Sequence, residues 1–213
     1  MENPSEFVRE HLLWLPEGQL FTSDMDISPY YRKWGFTIYR TAYGPGSDQC
    51  WQTIIDKINA QVSEDALDPR SADPAAHRAV QLFRLDARSD RNTLEGLNAD
   101  QVRELYKNAV GGQPMNADDR ARRVFLLVDE EVIEATSLKE FWVKGIQVDY
   151  AIGDYTHNNR RLGSSPRYFG WMKLAIRSVP HFWASLYYQE MEDIAPETIG
   201  GAVLSVWDCL SSY

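Results

Sequence analysis

The densest group of chemically capable side chains lies in one stretch, GDYTHNNRRLGSSPRYFGW, from Gly153 to Trp171. His157 is the histidine best suited to acid–base work, because an unperturbed imidazole titrates near neutrality. Asp154 within the stretch, or Asp149 just before it, is available to orient that ring. Arg160 and Arg161 offer guanidinium forks that match a carboxylate or phosphate, and Trp171 offers a large apolar face. The same composition also suits a wet connection between two strands, with Asn and Gly serving the turn. Both readings stand at the level of sequence.

A second set is spread along the chain. In KWGFTIYRTAY, strand parity places Arg40 on the face of Trp34, Phe36 and Ile38. A guanidinium on a buried face needs an acidic or carbonyl partner, and Asp86, Asp129, Asp149 and Asp208 all fall in or at the ends of expected strands. The alternative is a strand-end Arg40 whose stem covers apolar surface while its head reaches water. FRLDARSDR adds Arg84 and Asp86 as substrate-binding candidates if they line a cavity, although alternating charge of this kind is commonly a solvated, self-paired face.

Other patterns carry less. Gly44–Gln49, GPGSDQ, has the outline of a phosphate-binding turn, but Gln49 stands where the third glycine belongs and Asp48 adds negative charge. DEEVIE reads as an acidic surface turn without the spacing of a calcium loop. The two cysteines form no CxxC and the four histidines no HExxH, so no metal or other cofactor is expected. No GxSxG elbow occurs.

These residues need elements to hold them. Glu6–Leu15 has the pattern of a short amphipathic helix, and Trp34–Thr41 alternates as a strand. Cys50, Trp51, Ile54, Ile55, Ile58 and Val62 recur at helical spacing after Ser47, which is placed to cap that helix. SEDALDPRSADPAAHR reads as a surface loop, and residues 80–88 fit either a strand or a helix, the strand being preferred. Asn98 and Gln101 form a capping box for the next helix, and RRVFLLVDEEV holds a buried strand. WVKGIQVDYAI and RYFGWMKLAI are strands on either side of the opening stretch, PHFWASLYYQEME is a helix and GGAVLSVWDC a last strand. Strands in succession predict an α+β fold: a mostly antiparallel sheet with helices packed on it, as a single domain over 1–213 with 1–30 an N-terminal helix and loop docking on it. An α/β arrangement is the runner-up.

With 44% hydrophobic residues the chain can build a core, and its formal charge of −9 disfavours nucleic acid and anionic membranes as partners. Neither a signal-peptide pattern nor a spanning apolar run is present, which points to a cytoplasmic protein without a membrane partner.

Four phrases together, YYRKWGFTIYRTAYGPGSD (30–48), FRLDARSD (83–90), NNRRLGSSPRYFGWMK (158–173) and EDIAPETIGG (192–201), resemble a family of uncharacterised intracellular proteins of filamentous fungi. The resemblance spans most of the chain and implies a fungal source, but supplies no reaction or catalytic residue. The functional expectation is a small-molecule enzyme or binding protein, set in fungal specialised metabolism, with an aromatic-lined pocket holding His, Asp and Arg groups. A non-catalytic interaction module that forms homo- or hetero-oligomers is the alternative, and an RNA- or tRNA-dependent transferase a distant third.

Overall fold

The computed structural model describes residues 4–16, 18, 22, 25–66, 74–155, 168–198 and 202–210. A six-stranded mixed sheet in the order β2-β1-β3-β4-β5-β6 organises the chain. The strands are β1 (Trp34–Arg40), β2 (Phe83–Arg88), β3 (Val124–Val128), β4 (Trp142–Gln147), β5 (Trp171–Ala175) and β6 (Val206–Trp207). β1 pairs in parallel with both β2 and β3, and β5 with β6, whereas β4 runs antiparallel to β3 and β5. The expected mostly antiparallel sheet is therefore corrected to a mixed one with helices, still compatible with the α+β class.

Helical crossovers on either side of β1 account for the difference. Helix α2 (Ser47–Ala66) runs further than its apolar stripe, and α3 (Pro74–Leu82) is a helix where the sequence reads as loop. Pro74 opens α3, as proline favours a first helical turn. Together α2 and α3 supply the long crossover that a parallel β1–β2 pair requires. Residues 80–88 divide between the two readings, with helix up to Leu82 and strand from Phe83.

The two crossovers that flank β1 use opposite faces of the sheet. On one face, Trp34, Phe36 and Ile38 meet Trp51, Ile54 and Ile58 of α2 and Ala79 of α3. The indole Nε1 of Trp34 donates to the Ala79 carbonyl at 2.7 Å. On the other, Tyr39, Phe125 and Leu127 pack under α4 (Arg91–Leu94) and α5 (Ala99–Lys107) through Leu94, Val102 and Tyr106. All seven residues of β1 and all five of β3 are buried, as expected of strands covered on both sides. The Asn98–Gln101 capping box forms as read from the sequence.

DEEVIE is not a turn but the start of α6 (Glu130–Ser137), with the Asp129 side chain accepting from the Val132 N–H. α8 (Val179–Ser185) and α9 (Met191–Ile194) pack on the α2 face, where Phe182 and Met191 approach Gly145. At the N-terminus, α1 (Pro4–Phe7) passes into a π-helical turn, Val8–Leu12, that buries Phe7, Val8 and Leu12. Among the described residues no helix is long and apolar enough to cross a membrane.

Candidate functional site

Because β1 sends one connection toward β2 and β2 returns past it to β3, the chain diverges above the carboxyl end of β1. In open sheets with parallel strands, ligands collect at such points. Two adjoining crevices lie there. One, of about 640 Å³, lies between the ends of β1 and β2 and is lined by Arg40, Tyr43, Ser47, Asp48, Ser89 and Arg91. The other, of about 790 Å³, lies between β1 and β3, with Thr41, Tyr43, Glu95, Asp129, Glu130 and Ile133 among its walls.

Arg40 forms the floor of the first crevice. Its side chain is 5% exposed, on the α2 face as strand parity requires. Its Nε donates to the Ala42 carbonyl at 3.0 Å, and one terminal nitrogen, NH2, donates to Ser47 Oγ at 2.8 Å and to Asp48 Oδ1 at 2.6 Å. The other terminal nitrogen, NH1, makes no hydrogen bond among the described residues. The guanidinium carbon also sits 4.4 Å from the Tyr43 ring centroid, and the Tyr43 hydroxyl donates to the Arg40 carbonyl. Burial pushes the Tyr43 phenol up, against the opposing charge of Arg40.

The carboxylate partner of Arg40 is thus none of the four strand aspartates but Asp48, in the first turn of α2. The Asp48 side chain is 94% exposed. Ser47 does not simply cap the helix. Its hydroxyl closes the preceding turn, accepting from the Gly44 N–H and donating to the Gly44 carbonyl. The Ser47 N–H also goes to that carbonyl, so the GPGS turn is occupied by its own backbone bonds.

Asp86 lies on the opposite face of the sheet. It accepts from Thr37 Oγ1 at 2.9 Å and Arg88 Nε at 2.9 Å, and Arg88 extends to the Val110 and Gly112 carbonyls. This network ties the loop after α5 to the sheet edge. Arg84 is exposed, and its guanidinium donates to the Gln81 and Phe83 carbonyls at the junction of α3 and β2. Asp149 follows β4 and pairs with Arg123 Nε at 3.3 Å. Antiparallel register sets Gln147 opposite Val124, so Asp149 lies by the amino end of β3 while Arg40 lies beside Val128 at its carboxyl end. Trp171 opens β5 opposite Ile146, half-buried beneath the Lys144 ammonium at 4.9 Å. Asp154 falls in the short helix α7 (Ile152–Tyr155), and His157, Arg160 and Arg161 lie outside the described residues. Arg40, Asp86 and Asp149 therefore occupy three separate places.

Four cationic side chains escaped the reading of the sequence, Arg103 and Arg122 buried and Lys144 and Lys173 half-buried. Arg103 of α5 donates to the Gln147 and Gly170 carbonyls at 2.8 and 2.9 Å and pairs with Asp100, pinning both strands where they leave the sheet. Lys144 meets Asp129 and Glu131 at 2.6 and 2.7 Å, and Lys173 shares Glu131 at 2.7 Å. Burial works against the Lys144 charge, but hydrogen bonds to both acids prevail and hold its pKa above the ordinary value. Arg122 anchors the N-terminal turn through the His11 ring. The one local signal for Arg103 was its place on the apolar side of a well-capped helix. Among the described residues no three His, Cys, Asp or Glu side chains are placed to hold a metal ion.

Compared with models of protein families, with curated proteins and with solved structures, the chain shows no significant match.

Proposed function

We propose that the protein binds a small anionic molecule, a carboxylate or a phosphate, in the crevice above the carboxyl ends of β1 and β2, with Arg40 as its fixed charge. The observation that carries this reading is the asymmetry of the Arg40–Asp48 pair. A guanidinium 5% exposed is held rigidly by Ala42 and Ser47, whereas its carboxylate partner is 94% exposed and free to exchange. An entering anion takes the place of Asp48 on NH2 and adds NH1, the bidentate geometry for which arginine is suited. Arg91 stands on the rim, and Tyr43 lies between the two guanidinium groups, at 4.4 and 5.8 Å. We set this ligand, an acidic metabolite, in fungal specialised metabolism; the resemblance itself implies only a fungal source.

Titration calorimetry with inorganic phosphate and with malonate tests the proposal. Saturable binding of either that is lost in Arg40→Met supports it. Binding of neither anion, or binding unchanged in Arg40→Met, refutes it.

The interaction-module reading rests on a different feature, the exposed pair Tyr187 and Tyr188, whose rings meet edge to face at 5.0 Å. Light scattering that finds only monomer at micromolar concentration removes its oligomeric form.

A further inference from the structure

The N-terminal turn carries a polar chain that the anion crevice does not use. The π-helical turn Val8–Leu12 closes with the Leu13 N–H on the Val8 carbonyl at 3.0 Å. Such wide turns are rare and recur where a side chain must be aimed. Here Val8 and Leu12 point into the core, Phe7 sets its edge against Trp34 and Trp183 at 5.1 and 5.9 Å, and His11 faces outward between two other elements.

The His11 imidazole is bounded by aromatic edges, Trp183 at 6.2 Å, Tyr187 at 5.0 Å and Tyr188 at 5.6 Å. Its Nδ1 lies 3.2 Å from a terminal nitrogen of Arg122. Arginine has no acceptor, so the contact requires a lone pair on Nδ1 and a proton on Nε2. The rest of the chain fits that tautomer. Nε2 faces the Tyr188 hydroxyl at 3.4 Å, which in turn donates to Glu10 Oε2 at 3.2 Å.

Arg122 cannot move aside. Its side chain is buried, its Nε donates to the Trp183 carbonyl, its other terminal nitrogen pairs with Asp119 at 2.7 Å, and its plane lies 4.0 Å over Trp183. Among the described residues, the remaining charged groups around His11 are Glu6, Arg9 and Glu10 on its own segment. Arg9 is paired with Glu10 at 3.5 Å. α3, which also packs on this segment, carries His77 and Arg78, the latter engaged by the Ser28 carbonyl and the Tyr31 ring. Among the described residues, Glu10 favours a charged His11 directly, against burial and Arg122.

We propose that the segment Pro4–Leu13 is a proton-sensitive latch, docked while His11 is neutral and loosened when Nδ1 takes a proton. Protonation turns the acceptor into a donor facing a second donor and places two cations in contact. Burial, then Arg122, lowers the His11 pKa, with Glu10 opposing. The undocked segment therefore binds the proton more readily. Docking stability is complete above the ordinary imidazole value of about 6.5 and is lost progressively as pH falls below it. Loosening also moves one wall of an apolar crevice of about 490 Å³, formed by Val8, Leu13, Leu15, Ile27, Tyr31 and Ala75.

Amide hydrogen exchange on the full chain at about pH 7.5 and about pH 5, corrected for intrinsic rates, reads the latch directly. Residues 8–13 are expected to lose protection severalfold between the two conditions while Val124–Val128 does not. His11→Gln, which keeps an acceptor but cannot take the proton, is expected to remove that differential loss. Equal behaviour of both segments in the natural chain, or the same loss in His11→Gln, overturns the proposal. An NMR titration of the natural chain serves if the variant fails to dock. A His11 midpoint below about 6.5 that coincides with the loss of protection supports the latch, and a midpoint at or above that value overturns it.

Discussion

Asp48→Asn and Arg40→Met remove the two halves of one ion pair, and the anion-binding reading predicts effects of opposite sign. Asp48 is almost wholly in water, so its contact with Arg40 carries the energy of an exposed pair, about 0.2–1 kcal/mol. An anion entering the crevice must displace it. Asp48→Asn is therefore expected to tighten phosphate or malonate binding by roughly 1.4- to 5-fold. Stability falls slightly, because an acid in the first turn of α2 also interacts with the helix dipole by about 0.3–1 kcal/mol. Arg40→Met removes a charge-assisted donor that is worth about 1.5–3 kcal/mol, so affinity drops roughly tenfold to hundredfold. The same change leaves the Ala42 carbonyl without its partner, whereas Ser47 Oγ keeps its bonds to Gly44. The carboxylate left behind is solvated, so the cost in stability is about 1–3 kcal/mol, below the 3–5 typical of a broken buried pair. Calorimetry gives the affinities, and thermal unfolding the stabilities, at about 2–4 °C per kcal/mol for a chain of this size. Equal weakening of binding by both substitutions shows that Asp48 is part of the site rather than its competitor, and refutes the exchange mechanism.

Three further outcomes follow from the packing. Arg103→Met removes two charge-assisted hydrogen bonds, to the Gln147 and Gly170 carbonyls, at about 1.5–3 kcal/mol each, although Gly170 keeps the Gln147 N–H, and thermal unfolding should show a loss of several degrees. Gly35→Ala is expected to be more damaging, because φ is +123° and a Cβ would lie 2.1 Å from the backbone oxygen of Arg84 on the neighbouring strand. Failure to lower the melting temperature by more than about 5 °C would mean that the β1–β2 pairing can relax there. Glu131 is held below the usual carboxylate range, since its bonds to Lys144 and Lys173 outweigh desolvation. Its contribution is complete above about pH 4.3 and is lost as pH falls from there toward the lowered value, so the natural chain and Glu131→Gln should converge in stability in acid. A constant difference down to about pH 3 would show that the ion pair is not its source.

Much of the framework was legible because it depends on local pattern. β1, β3, β4 and β5, the apolar stripe of α2 and the Asn98–Gln101 cap follow from period and capping chemistry, which neighbouring residues settle among themselves. α3 was hidden by its surroundings. Its proline and alanines follow a polar, acidic, proline-containing run, and its fully buried residues are the small Ala76 and Ala79. The start of α6 was hidden too, since Asp129, Glu130 and Glu131 read as an acidic turn until Val132 and Ala135 find a core to face.

By itself, the sequence determined that Arg40 shares a face with Trp34, Phe36 and Ile38, because strand parity is a property of the chain. It also determined that such a guanidinium needs a partner, because desolvation penalises a lone charge wherever it sits. Only the tertiary structure decided which partner. A tight turn brings Asp48 back onto Arg40, while strand order and register send Asp86 to the other face and Asp149 to the other end of the sheet. Separation along the chain carries no information about distance across a sheet. The Arg122–His11 contact makes the same point, joining residues from the N-terminal turn and the entrance to β3 at 3.2 Å.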